Sequence, residues 1–131
     1  MPSPFAERFM DALRRSEKDH TPDPLVELFD EKAELRNLSG DAPETGIAGA
    51  RKFWTAYLDS FGRIASTFHH VVEGPDGIVL EWTSEGTLPD GRPIHYRGVS
   101  VLEAANDRVR RFRAYYDSAA FVKPTADTAA V

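Results

Sequence analysis

The sequence predicts an α+β domain, with helices packed on one face of a curved, mostly antiparallel sheet. Two observations predict it. From Gly77 to Phe121 the chain reads as three long β segments, GIVLEWTSEGTLPDG, RPIHYRGVSVLEAAND and RVRRFRAYYDSAAF, separated by tight-turn chemistry. Ahead of them, apolar residues recur at helical spacing, which implies amphipathic helices built to cover the sheet.

The first helix is expected over residues 4–18, where Phe5, Phe9 and Leu13, with Ala6 and Met10, form one stripe. Ser3 caps it, with Pro4 in the first turn. A short second helix follows Thr21, with Leu25, Leu28 and Phe29 on one side and Thr21 or Asp23 as cap. Residues 32–39, KAELRNLS, alternate as a short strand, and SGDAPETG after them is turn chemistry. The third helix spans IAGARKFWTAYLDSFG, with Ile47, Phe53, Trp54, Tyr57, Leu58 and Phe61 on a wide apolar face and Gly62 as its stop. Residues 63–73 form a strand, and the GPDG that follows is a hairpin turn. LPDGRP and AAND then join the remaining strands. Residues 1–122 are thus one domain, and 123–131 a small, polar, flexible tail.

Composition narrows the function classes. The chain has 131 residues, 16 basic and 21 acidic, for a net charge of −5. An acidic surface argues against nucleic acid as a partner. The basic cluster Arg108, Arg110, Arg111 and Arg113 sits in a strand, where alternation divides it between faces. There is no cysteine, which excludes disulfides, thiolate metal sites and cysteine nucleophiles. His20, His69, His70 and His95 have neither i, i+4 nor H-x-H spacing, so no metal site is expected. No apolar run is long enough for a membrane span, and the expected setting is cytoplasmic. Three helices do not fill the mouth of a long twisted sheet, so a ligand cavity is expected at its open end.

Strand parity nominates the lining. Phe112, Ala114 and Tyr116 share one face of the last strand. In the strand after Gly77, Leu80 and Trp82 share one face, and Glu81, Thr83 and Glu85 the other. Trp54, Tyr57, Tyr96 and Tyr116 are candidates for an aromatic mouth around a flat apolar ligand.

With EWTSEGT, YRGVSV and RFRAYYD in this order, residues 4–122 resemble the nuclear transport factor 2-like (NTF2-like) superfamily, in its SnoaL-like and ketosteroid isomerase-like branch. The resemblance implies a cone-shaped fold with three N-terminal helices. It also implies no cofactor, and a homodimer formed through the outer sheet face. The two acids of ketosteroid isomerases fall on Asn37 and near Ser100, so that mechanism is not expected here. Of the residues that do this work in limonene-epoxide hydrolases, the asparagine is kept at Asn37. The aspartate falls on Ala114, and Leu35 replaces the tyrosine. Their arginine falls on Glu81 or Thr83. The acid–base aspartate of SnoaL-like cyclases falls at Asp117.

The family pattern turns Glu81, Thr83 and Glu85 into the cone, whereas composition alone turns Leu80 and Trp82 inward. The expectation here follows the family. The corresponding parity selects His69 over His70 as the inward histidine. His69, Glu81 and Asp117 are therefore the expected proton carriers. Asn37, Trp54, Tyr57, Thr83, Glu85, Tyr96, Ser100, Phe112 and Tyr116 are the expected substrate-binding residues. The implied function is to act on or bind a small hydrophobic or polycyclic molecule. Cofactor-free cyclisation, isomerisation or dehydration is one form of it. A non-catalytic ligand-binding or dimeric scaffold protein of the same fold is the other.

Overall fold

A computed structural model describes residues 2–38 and 42–122. Helix α1, Pro4–Asp19, starts where Ser3 Oγ accepts the Ala6 N–H at 3.2 Å. It ends at His20, a left-handed residue with φ 53°. Helix α2 is one turn, Asp23–Val26, and its cap position is Pro22 rather than Thr21 or Asp23. Helix α3, Gly46–Asp59, ends at a Ser60 cap, two residues before Gly62.

Six strands form one sheet: β1 Phe29–Arg36, β2 Glu44–Thr45, β3 Arg63–Gly74, β4 Gly77–Thr87, β5 Pro93–Ala105 and β6 Arg108–Tyr116. Their spatial order is β2-β1-β6-β5-β4-β3. All pairs are antiparallel except β1 with β6, where Leu35 lies opposite Phe112. The α+β architecture with three helices on a curved sheet is therefore as the sequence predicts. Three details differ. Strand β1 begins at Phe29, ahead of the expected residue 32, because Phe29 pairs with Val109, and it ends at Arg36, short of the expected residue 39. The turn segment ends in a short strand, β2. A 3-10 turn, Ser118–Phe121, follows β6. The expected tail, 123–131, lies outside the described residues.

Helix α1 packs on β3 and α3 packs on β1, so the helices roof one face of the sheet. The core beneath them is aromatic. Phe112 stacks on Phe9 at 5.8 Å between centroids and meets Trp54 edge-on at 4.9 Å. Such pairs add ~0.5–1.5 kcal/mol each beyond the area they bury. No helix among the described residues is long and apolar enough to cross a membrane.

Gly98 shows how tightly the inner face is built. A Cβ there would lie 2.4 Å from the Tyr115 carbonyl oxygen and 2.9 Å from the Trp82 ring. Neither backbone nor a ring this buried has room to retreat. Gly98→Ala is therefore expected to destabilise the fold by ~1–3 kcal/mol. A urea midpoint equivalent to less than ~0.5 kcal/mol of change would contradict the packing described.

Candidate functional site

The roofed face of the sheet encloses a cavity of about 410 Å³. Its walls include Leu35, Phe53, Trp54, Tyr57, Phe61, Trp82, Tyr96, Phe112 and Tyr116. Asn37, Arg36, Glu44 and Lys52 also border it, with Lys52 Nζ 3.5 Å from Glu44 Oε1. This volume is within the ~300–1,000 Å³ range of small-molecule sites.

The polar part of the lining converges on one buried acid. Glu17 lies four residues beyond Leu13, so it continues the stripe Phe5, Phe9, Leu13 on the inner side of α1. It is 6% exposed. Its Oε2 accepts from Tyr57 Oη at 2.6 Å and from Ser66 Oγ at 2.6 Å, and its Oε1 accepts from the Ser66 backbone N–H at 2.9 Å. The last contact follows from topology. β3 is the edge of the sheet, so one side of it has N–H groups with no strand neighbour, and α1 covers that edge. Ser66 Oγ also lies 2.6 Å from Ser84 Oγ, its cross-strand partner on β4. Tyr57, Ser66 and Ser84 line the cavity, and Glu17 sits behind them.

Both neighbouring phenols are held protonated. Burial pushes the Tyr57 hydroxyl well above the ordinary phenol range, with the nearby Tyr96 and Glu17 charges adding to the shift. Burial raises Tyr96 too, again helped by Glu17, while hydrogen bonding with Tyr57 and Ser84 opposes the rise. Tyr116, at the cavity wall, is raised by burial. Elsewhere on the wall, Trp82 Nε1 donates to Ser100 Oγ at 3.0 Å. The Trp54 indole nitrogen is buried with no hydrogen-bond partner among the described residues.

The three expected proton carriers do not meet in this cavity. Glu81, Thr83 and Glu85 point to the outer face of β4, while Leu80, Trp82 and Ser84 point inward and are buried. The family-based parity is thus reversed, and the ordinary hydrophobic argument holds: Trp82 lies over Gly98 and edge-on to Tyr96 at 5.3 Å. A bulge between Phe68 and His70 places both histidines opposite outer-face residues. His69 Nε2 lies 2.8 Å from Thr83 Oγ1, and His70 Nδ1 lies 2.6 Å from Glu81 Oε1, with all four exposed or half-exposed. Asp117 is exposed and caps the 3-10 turn, accepting the Ala119 N–H at 3.1 Å. Of the expected substrate-binding residues, Asn37, Trp54, Tyr57, Tyr96, Ser100, Phe112 and Tyr116 border the cavity, and Thr83 and Glu85 do not. The sequence reading missed Glu17, Ser66, Ser84 and Trp82. The signal for Glu17 was an acid in register with an apolar stripe. Among the described residues, no three His, Cys, Asp or Glu side chains cluster so as to hold a metal ion.

The profile of the SnoaL-like domain matches residues 6–112. This chain belongs to the SnoaL-like family. Solved structures agree on the fold. An NTF2-like protein from Anabaena variabilis superposes with a TM-score of 0.80 at 18% identity, covering 90% of this chain and 95% of that one. A protein with a ketosteroid isomerase-like fold from Catenulispora acidiphila, in complex with trimethylamine, gives 0.78 at 13% identity, covering 92% and 90%. TerC, co-crystallised with polyporic acid, gives 0.77 at 18% identity, covering 91% and 95%. Among curated proteins, none matches this chain.

The raised phenols make a prediction for alkaline solution. An unfolded tyrosine ionises near pH ~10, whereas Tyr57 and Tyr96 in the fold ionise higher. The folded state then holds protons that the unfolded chain has lost, so stability is intact below pH ~10 and falls above it. Each such phenol contributes up to ~1.4 kcal/mol per pH unit above that point. Urea midpoints measured from pH 8 to pH 11 should fall from about pH 10 onward, and less steeply in Tyr57→Phe. Equal slopes in both proteins would contradict the environment described.

Proposed function

We propose that this SnoaL-like protein binds a small, flat, hydrophobic molecule in the cone and moves a proton on it without a cofactor. The observation that carries the reading is the Glu17 cluster. A buried carboxylate, hydrogen-bonded only by neutral groups, stands behind the hydroxyls of an otherwise apolar cavity. A carboxylate so placed is costly to bury, and the hydroxyl protons of its neighbours already point at it.

The two sides of the lining supply complementary halves of acid–base chemistry. Ser84 takes a proton from the ligand as its own proton passes to Ser66 and that of Ser66 passes to Glu17. The electron pair of the broken C–H bond moves onto the ligand's carbonyl oxygen. Ser100 Oγ already accepts the Trp82 N–H, so its own proton is available to that oxygen, as is the Tyr116 phenol proton. Return of the proton to another atom completes an isomerisation, and the same first step opens cyclisation or dehydration.

A purely binding role is favoured by one observation: Glu17 reaches the cavity through Tyr57 and Ser66 and not directly. One experiment separates the two. The protein is titrated with 2-tetralone, a two-ring enolisable ketone, following emission of Trp54 and Trp82. Exchange of the ketone's α-protons in D₂O is then followed by NMR. The catalytic reading expects saturable quenching and exchange faster than buffer, reduced ~10²-fold or more in Glu17→Gln. Quenching with exchange at the buffer rate leaves a binding protein. Absence of quenching removes both readings.

A further inference from the structure

The carboxylate also decides which way each neighbouring hydroxyl points. A carboxylate only accepts hydrogen bonds, whereas a hydroxyl has a single proton to give. Tyr57 gives its proton to Glu17 Oε2, and so does Ser66. With its proton spent, Ser66 Oγ must accept in its 2.6 Å contact with Ser84, so Ser84 is the donor there. Tyr57 and Ser84 are therefore left with acceptor lone pairs only. Tyr96 lines the same cavity as both and has one proton, enough for only one of them. Whichever is left over needs a donor from the cavity.

We infer that Glu17 makes this end of the cavity a hydrogen-bond acceptor, and so selects a flat, uncharged ligand that carries a hydroxyl group there. The inference rests on the pocket reading above and adds the class of ligand to it. A ligand carbonyl in that place would face lone pairs with no proton between them. A ligand carboxylate would face Glu17, whose three hydrogen-bond partners are all neutral. The aromatic walls, Trp54, Trp82, Tyr96 and Phe112, suit a fused-ring body on such a hydroxyl.

The polarity is reversible by one atom, which supplies the test. In Glu17→Gln an amide N–H₂ can donate to Ser66, which then donates to Ser84, which then offers its own proton to the cavity. The full chain, Glu17→Gln and Ser84→Ala are each titrated with 1-tetralol and 1-tetralone, a hydroxyl and a carbonyl on the same two-ring skeleton, following tryptophan emission. Glu17→Gln is expected to weaken 1-tetralol about tenfold, the size of one net hydrogen bond, while 1-tetralone binds as before or more tightly. Ser84→Ala should weaken 1-tetralol selectively without altering the carboxylate, and decides the matter if Glu17→Gln does not fold. Equal weakening of both ligands, or no loss for 1-tetralol, overturns the inference and leaves the pocket reading standing. If neither ligand quenches the unaltered protein, both fall together.

Discussion

The site depends on one burial. Helix α1 carries a carboxylate into the space between helix α3 and the edge strand β3, and three neutral donors meet it there. An isolated charge in such a place would cost many kcal/mol, and these hydrogen bonds are what make it tolerable. Each of them also has a structural consequence. Tyr57 ties α3 to α1, the Ser66 N–H ties the sheet edge to α1, and the Ser66–Ser84 contact continues the chain into β4. Two of the three helices are thereby fixed against the sheet through one side chain.

The architecture was legible in the chain because its signals are local and redundant. Ser3 and Pro4 start α1, the apolar stripe fixes its inner face, and turn residues punctuate β3 to β6. The site was much less legible, and the reasons differ by residue. On β4 two arguments opposed one another. Burial of Leu80 and Trp82 favoured one face, and likeness to relatives favoured the other. The glycine at position 98 decides it, since it clears the space that the Trp82 ring fills. Period-two alternation does not show which neighbour is small enough to receive a ring. On β3 the bulge after Phe68 breaks the alternation that would have sorted His69 from His70, and no turn residue marks it. Asp117 was recognisable as an acid beside an aromatic, but its capping contact with Ala119 belongs to the turn that follows.

Glu17 is the instructive omission. At i+4 from Leu13 it sits where the helix needs an apolar residue, and a charged side chain in that register signals either a paired core ion or a working group. Its partners are a helix tyrosine forty positions away and a serine on an edge strand, so only the fold reveals which. The SnoaL-like scaffold accommodates such a change readily. Its cone is formed by sheet curvature and helix packing, and many inward positions can carry the chemistry without disturbing either. In this chain the buried acid comes from the roof, and Ser100 and Tyr116 border the cavity from the floor.

The central claim is that Glu17 is an ionised acceptor that draws the surrounding hydroxyl protons toward itself. Neutron diffraction from a deuterated crystal observes this directly. The account predicts deuterium on Tyr57 Oη and Ser66 Oγ along the lines to Glu17, deuterium on Ser84 Oγ directed at Ser66, and none on the carboxylate. A deuteron on Glu17, with Ser66 donating to Ser84, would contradict it.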